Sequence, residues 1–250
     1  MHSGISDLVE RLQRHNYQRN ASRQPGGDSR RTDDWRRHTL ISQVRRLLQG
    51  AVTVLGRGRK SVTKIAILGW GSLLWDESRK DFDDQHEEWR FDGPVLKLEF
   101  SRKSASRLNA LTLVIDPAHG QACQVAYALS KRASPEEAIA DLCAREKTTE
   151  RNIGCSFADS SRRQGRDANS IDVVFQWAKD RSIDVVLWTD LPGSFDGVPK
   201  HEFLNAAVNH LQQLPPTGKA MAAEYVWRAP DFILTPLREV LQTEPWFRTS

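Results

Sequence analysis

The chain is short of cysteine: Cys123, Cys143 and Cys155 are the only three in 250 residues, and none forms a CxxC pair. An odd number of separated cysteines does not make a disulfide scaffold, so we expect a reducing compartment and predict a cytoplasmic protein. The sequence also lacks the run of roughly 20 apolar residues that a membrane-spanning helix needs. Charged residues interrupt the first apolar cluster at 7–11, so we expect no secretory signal peptide.

Motifs for metals and nucleotide cofactors are missing as well. The seven histidines include no HxxxH or HExxH spacing, so we expect no metal site. The GWGSLL segment at 69–74 is not a dinucleotide fingerprint, because the third glycine of GxGxxG would fall on Leu74. It is not a phosphate-binding P-loop either, because no GK[ST] follows. The sequence therefore offers no motif typical of a metal, dinucleotide or nucleoside phosphate site.

The charge of the chain is unevenly distributed. Overall, 36 basic residues face 32 acidic ones, and 39% of the chain is hydrophobic, which is ordinary for a globular protein that buries a core. Residues 1–60 hold 13 basic and 5 acidic side chains, whereas the remainder holds 23 and 27. The basic character thus belongs to the N-terminal part, and the remainder is mildly acidic.

We therefore predict two parts, a basic N-terminal arm at 1–61 and a folded domain at 62–250. Residues 15–37 are polar and almost free of aliphatic side chains, so we expect them to be mobile. Apolar residues near helical spacing at 5–12 and 40–52 predict two short amphipathic helices in the arm.

The sequence of the arm is compatible with several binding partners. Its second helix could dock on the folded domain, or residues 1–60 could bind a protein partner or an anionic surface. Nucleic acid would bind through the same basic residues in a salt-sensitive way. The few aromatic residues in the arm, Tyr17 and Trp35, and the acidic remainder of the chain argue against nucleic acid.

The domain begins with consecutive strands and acquires helices later. Apolar or alternating runs predict strands at 64–68, 95–104, 110–116, 123–130, 171–180 and 183–191. Ser134 and Pro135 predict the start of a helix that continues through the AIADLCAREK segment, and a second helix is expected at 201–214. This order predicts an α+β fold, a small mixed β-barrel or sheet with inserted helices, and not a doubly wound fold.

The sharpest local feature is the GWGSL turn that follows the first strand. Gly69 and Gly71 free the backbone to bring its amides close to a ligand, and the Ser72 hydroxyl could bind the same anion. Trp70 and Leu73 complete the candidate binding loop. The alternative is a tight turn at the end of a strand, in which glycine serves geometry alone.

A second feature is Glu146, near the end of the helix that starts at Ser134. It lies four residues after Leu142, so the two share a helical face, and that face is expected to point inward. Burial raises the pKa of a carboxyl group, which is typical of a general acid/base. The alternative is a solvated glutamate paired with Lys147 or Arg151.

A third feature is the basic segment SRKSASR at 101–107, directly after a strand. Arg102 and Arg107 could bind a carboxylate of a substrate, because guanidinium groups match carboxylates geometrically. A solvated loop would have the same composition.

Together, these motifs resemble the γ-glutamylcyclotransferase superfamily, and most closely its ChaC-type branch. The segment ILGWGSLLWD is similar to the family's glycine-serine-leucine substrate loop, and Trp70 takes the place of the usual tyrosine. The AREK segment resembles the part of ChaC proteins in which the glutamate of an Arg-Glu-Lys triplet is catalytic. The resemblance covers roughly residues 62–160 and implies that Glu146 is the catalytic residue.

The resemblance implies a cofactor-independent reaction in which the α-amine of a γ-glutamyl compound attacks its own γ-carbonyl. The products are 5-oxoproline and an amine. Amides of the loop at 71–73 would stabilise the oxyanion or bind the substrate carboxylate, and Arg102 would contribute a carboxylate contact.

The same motifs are compatible with two other functions. The same scaffold could be a non-catalytic protein that binds a small ligand while the arm recruits a partner. Alternatively, the chemistry could be transfer of the γ-glutamyl group to another amine.

Overall fold

The computed structural model of the chain describes residues 63–247, apart from the side chain of Arg79. The predictions for the basic arm and its partners lie outside the described residues. The strands are β1 (Ile65–Gly69), β2 (Val95–Ser104), β3 (Ala110–Ile115), β4 (Gln121–Gln124), β5 (Ala126–Leu129), β6 (Ile153–Phe157), β7 (Arg163–Gln164) and β8 (Val185–Thr189). The α-helices are α1 (Lys80–Asp83), α2 (Pro135–Glu146), α3 (Ala168–Asp180), α4 (Lys200–Gln212), α5 (Pro216–Arg228) and α6 (Pro236–Thr243).

The strands form two small sheets. One has five strands in the order β5-β1-β8-β6-β7, in which β1 and β8 are parallel and the other neighbours are antiparallel. The other is antiparallel, with the order β3-β2-β4. The predicted α+β class is confirmed, but the strands of residues 63–247 do not close into a barrel.

One predicted strand is in fact two. The segment 123–130 was expected to be continuous, but β4 ends at Gln124 in the three-stranded sheet and β5 starts at Ala126 in the other. Between them, the Val125 amide donates to the carbonyl of Pro94, and the Val125 carbonyl accepts from the Gly93 amide, both at 3.0 Å. The chain thus crosses from one sheet to the other at a single buried residue.

The prediction of a strand at 171–180 is wrong, because this segment lies within α3. The Asp167 side chain caps the helix by accepting a 2.8 Å hydrogen bond from the Ser170 amide. Val174, Trp177 and Ala178 are buried at helical spacing. The capping residue and the three- and four-residue spacing therefore outweigh the strand preference of the β-branched residues. Strands β6 and β7 were not predicted from the sequence.

Strand β1 lies between two apolar clusters. Ile65 and Ile67 face one cluster, which also contains Leu142 of α2, whereas Ala66 and Leu68 face the larger one. Helix α2 therefore packs on one face of the sheet, and the three-stranded sheet contributes to the cluster on the other face. Within the described residues, no helix is both long and apolar enough to cross a membrane.

Candidate active site

The loop after β1 is a single turn of 3₁₀-helix at Gly71–Leu73, closed by a 3.0 Å hydrogen bond from the Leu74 amide to the Gly71 carbonyl. Gly71 has a φ of +60°, in the left-handed region that favours glycine. A Cβ atom there would lie 2.5 Å from the hydroxyl oxygen of Tyr225 in α5. Glycine is thus required at position 71 both by the backbone and by the close approach of α5.

Helix α2 places Glu146 at its last turn. The Ser134 side chain caps the start of the helix, as predicted, by accepting from the Glu137 amide at 3.3 Å. At the other end Lys147 is left-handed, with a φ of 49°, and ends the helix directly after Glu146. The Leu142 side chain is fully buried and that of Glu146 is 18% exposed, so the predicted inward face is the observed one.

Arg145 connects the end of α2 to the loop after β1. Its side chain is 6% exposed, and its guanidinium donates a 2.9 Å hydrogen bond to the Ser72 carbonyl. The same group lies 3.7 Å from a carboxylate oxygen of Asp76 and 3.7 Å from one of Glu146. This buried cation therefore holds the Glu146 end of the helix against the candidate binding loop.

Arg102 follows a break in the pairing of β2 with β3. The register with β3 shifts between Phe100 and Arg102, and the Arg102 guanidinium donates to the Pro192 carbonyl at 3.1 Å. Burial lowers the pKa of Arg102, the neighbouring Arg166 lowers it further, and Glu146 opposes both effects. Arg102 is thus a partly buried cation close to Glu146.

These elements surround one cavity of about 530 Å³. Of the eight predicted site residues, six line it: Trp70, Ser72, Leu73, Arg102, Arg107 and Glu146. The other two, Gly69 and Gly71, are buried and do not line the cavity. A Cβ atom at Gly69 would lie 2.5 Å from the Trp89 ring, so this glycine serves packing. The cavity walls come from both sheets and from α2 and α5.

The cavity lining includes a cluster of three neighbouring side chains, those of Arg107, Asp76 and Tyr225. The Asp76 side chain accepts hydrogen bonds from the amide and hydroxyl of Ser78 at 3.2 and 2.6 Å. The Ser78 hydroxyl lowers the pKa of Asp76, burial opposes it, and the Ser78 amide, Arg145 and Arg107 also lower it. The Arg107 guanidinium lies 4.0 Å from Asp76 and 5.0 Å from the centre of the Tyr225 ring.

Tyr225 contributes a buried hydroxyl beside the loop. Burial raises its pKa above the ordinary value, and the charge of Glu146 raises it further, whereas Arg107 and the backbone amides of Ser72 and Leu113 act in the opposite direction. The hydroxyl is therefore protonated at neutral pH and can donate a hydrogen bond.

Another wall of the cavity is polar and includes Thr148, Asn152 and Thr189. The Asn152 side chain donates to the Thr148 hydroxyl at 2.9 Å and accepts from Arg166 at 2.9 Å. The hydroxyl oxygen of Thr189 is buried and has no hydrogen-bond partner within residues 63–247. This wall offers neutral hydrogen-bonding groups near Glu146.

Three site residues, Asp76, Arg145 and Tyr225, were missed by the sequence reading. Arg145 adjoins Glu146 in the noted triplet, and Asp76 follows the noted loop closely, so proximity to these motifs could have indicated both. Nothing local marks Tyr225, which lies more than 150 residues beyond the loop and reaches it through the packing of α5.

The cavity combines a carboxylate, several guanidinium groups, neutral hydroxyl and amide groups, and a backbone turn, which are groups suited to proton transfer and anion binding. In the part of the chain that the structure describes, no three His, Cys, Asp or Glu side chains converge in a group that could hold a metal ion. No protein-family model, no curated protein and no solved structure matches this chain.

Proposed function

We propose that the protein is a γ-glutamylcyclotransferase-like enzyme that cleaves a γ-glutamyl amide or peptide and releases 5-oxoproline and an amine. One observation carries the proposal: Glu146 and two residues of the loop after β1, Ser72 and Leu73, line the same cavity although more than 70 residues separate them in sequence. A reaction of this type needs an acid/base and hydrogen-bond donors on either side of the reacting carbonyl.

The proposed reaction is intramolecular, because the substrate supplies both of the reacting groups. The substrate's α-nitrogen forms a bond to its own γ-carbonyl carbon, and the bond from that carbon to the leaving nitrogen then breaks. Because both reacting groups belong to one molecule, the enzyme mainly has to hold a reactive conformer, and orientation of this kind can remove several kcal/mol from a barrier.

Glu146 is assigned the proton transfers. As a carboxylate it removes a proton from the α-ammonium group, which frees the lone pair for attack. It then donates that proton to the leaving nitrogen, which regenerates the carboxylate. The attacking nitrogen still carries a second proton to lose, which passes to the departing amine as the tetrahedral intermediate collapses, so the products are the neutral lactam and an ammonium ion. Its position at the end of α2 is fixed through the neighbouring Arg145, which is bonded to the loop.

The substrate's charges are assigned to the loop and to Arg102. Amides at the start of a helical turn have no partner within that turn, and the Ser72 amide is already bonded to the Tyr225 hydroxyl. We therefore assign the Leu73 amide to the oxyanion of the tetrahedral intermediate. Arg102, partly buried and close to Glu146, is assigned to the α-carboxylate of the γ-glutamyl group.

The test is incubation of the full chain with a panel of γ-glutamyl amines and peptides, with mass-spectrometric detection of 5-oxoproline. We expect turnover by the wild type and a loss of at least about 100-fold in Glu146→Gln, the lower range for removing an acid/base. Glu137→Gln, on an exposed position of the same helix, should match the wild type. Saturable binding without turnover would instead favour a non-catalytic ligand-binding protein.

A further inference from the structure

The loop after β8, at 190–199, is bonded to β2 beyond the stretch that pairs with β4. Strand β4 pairs only with Val95–Leu98 of β2. Further along β2, the Ser194 amide donates to the Ser101 carbonyl at 2.8 Å, and the Ser194 hydroxyl accepts from the Lys103 amide at 3.0 Å. A single residue of the loop thus bonds to the backbone on both sides of Arg102.

The same loop also holds the side chain of Arg102. The Arg102 guanidinium donates to the carbonyl of Pro192, two residues before Ser194, at 3.1 Å. Both the backbone next to Arg102 and its guanidinium are therefore bonded to one short segment. Since Arg102 lines the cavity, a displacement of this loop would move the cation within the cavity.

Asp116, in the turn after β3, lies against this loop. A Cβ atom at Gly193 would lie 3.8 Å from a carboxylate oxygen of Asp116, so the loop backbone packs beside a carboxylate that is only 7% exposed. Burial raises the pKa of Asp116, but the Ser101 hydroxyl and the amide, ring and charge of His119 lower it, and the net pKa is below the ordinary value. The Asp116 side chain is therefore ionised at neutral pH.

His119 joins Asp116 to the far end of the loop. Its ring is buried, with Nδ1 3.0 Å from the Asp116 carboxylate and Nε2 2.9 Å from the Val198 carbonyl. A carboxylate and a carbonyl only accept, so both ring nitrogens donate and the ring is cationic. The ring also stacks on Phe203 of α4 at 4.4 Å, and Phe195 of the loop meets the same Phe203 edge-on at 5.3 Å.

We propose that His119 is a positioning residue, which together with Asp116 holds the loop after β8 so that Arg102 projects into the cavity in the orientation that binds substrate. This inference rests on the proposed function, which assigns Arg102 to the substrate's α-carboxylate. Two buried charges are retained where further hydrogen bonds satisfy them. For this pair, those bonds go to the turn after β3 and to the loop, so the pair connects the two.

The test compares two substitutions of His119 that differ in reach. The amide nitrogen of His119→Gln can occupy the place of Nε2 and donate to Val198, whereas that of His119→Asn can occupy only the place of Nδ1. With γ-glutamyl-alanine as substrate, we expect His119→Asn to raise KM by about twofold to tenfold, the range for one hydrogen bond, and to leave kcat unchanged. His119→Gln should retain most of the wild-type KM. Melting temperatures check that both variants are folded.

His210→Asn is the matched control. His210 also lies 2.9 Å from a backbone carbonyl, and its ring centre lies 6.4 Å from that of Phe195. Its carbonyl partner, however, belongs to Asn109 and not to the loop after β8. We therefore expect the wild-type KM in this variant.

A double-mutant cycle asks whether the effect of His119 passes through Arg102. In an Arg102→Met background, His119→Asn should raise KM no further, because the group that it positions is already missing. An equal rise in KM in both backgrounds, or a fall in kcat with KM unchanged, would overturn the positioning role.

Nuclear magnetic resonance tests the role without turnover. The side-chain Nε–H signal of Arg102, assigned by its loss in Arg102→Met, should shift in His119→Asn and stay in place in His210→Asn. This shift without any release of 5-oxoproline would retain the positioning role and reject the cyclotransferase. An unchanged Arg102 signal would overturn the positioning role and leave the cyclotransferase intact.

The wild-type spectrum gives a check that needs no variant. Because both ring nitrogens of His119 donate to buried acceptors, the ring should show two N–H signals. A single ring N–H signal would overturn the link between Asp116 and the loop, even if His119→Asn proved to be unfolded.

Discussion

The guanidinium of Arg145 donates a hydrogen bond to the carbonyl oxygen of Ser72 across 2.9 Å. This contact joins the last turn of α2 to the turn that follows β1, and so joins the candidate acid/base to the candidate binding loop. Because the Arg145 side chain is almost completely buried, the contact is shielded from water, which strengthens it.

Arg145→Met should therefore both destabilise the protein and reduce its activity. The variant leaves the Ser72 carbonyl without its charged donor, which corresponds to about 1.5–3 kcal/mol of unfolding free energy. Denaturant unfolding measures this change, and the release of 5-oxoproline measures activity. Arg132→Met is the control, because Arg132 forms a more exposed ion pair with Asp141 of the same helix, worth at most about 1 kcal/mol. Equal effects of the two substitutions would contradict the role given to Arg145.

Gly71→Ala should lose more stability than Gly197→Ala. Both glycines have positive φ, so alanine is strained at either position, by about 1–2 kcal/mol. At Gly197 nothing lies within 4 Å of an added Cβ atom, whereas at Gly71 the Tyr225 hydroxyl would have to move. The difference in melting temperature between the two variants measures how much the displacement of the Tyr225 hydroxyl destabilises the protein.

Removal of the Tyr225 hydroxyl should relieve part of that cost. In the double variant Gly71→Ala with Tyr225→Phe, we expect a smaller loss of stability than the sum of the two single losses. Strictly additive losses would indicate that the hydroxyl does not limit the space at Gly71.

Glu99 should make stability depend on pH. It is fully buried in β2, where its carboxylate oxygens accept hydrogen bonds from the amides of Phe100, at 2.8 Å, and Leu237, at 3.3 Å. Burial raises the pKa of Glu99 from 4.5 to about 7, although hydrogen bonds from Thr235, Phe100 and Leu237 oppose the shift. The folded protein therefore holds the proton more tightly than the unfolded chain does.

The sign follows from proton linkage. Stability linked to this proton is fully present below the unfolded pKa of 4.5 and is lost as pH rises through the folded pKa of about 7. The loss amounts to roughly 1.4 kcal/mol per unit of difference between the two pKa values. Denaturant unfolding between pH 5 and 7.5 should show this decline in the wild type and a flatter profile in Glu99→Gln. Parallel profiles would rule out Glu99 as its source.

The parts of the site that follow local rules could be predicted from the sequence. Ser134 and Pro135 mark the start of α2, and the apolar period after them places Leu142 and Glu146 on one buried face. The glycines after β1 likewise indicated a tight turn. In both cases a few neighbouring residues determine the conformation, so composition and spacing are sufficient.

The parts that depend on long-range packing could not be predicted. The segment that forms α3 contains the β-branched residues Ile171, Val173 and Val174. It is nevertheless helical, because its start is capped and its buried residues recur at helical spacing. Tyr225 meets the loop only because α5 packs beside it. The division between β4 and β5 also depends on which partner strand each half meets, since both halves have strand-forming composition.

The crossing of the chain at Val125 has a mechanical consequence. The cavity is lined by residues of β2 and β3 from one sheet and, from the other, by β8 and the loop after β1, so its width depends on the spacing between the two sheets. The segment from β4 to β5 pairs with both sheets and so connects them directly. We therefore expect the side chains that line the cavity, and not a movement of the two sheets, to determine which molecules fit it.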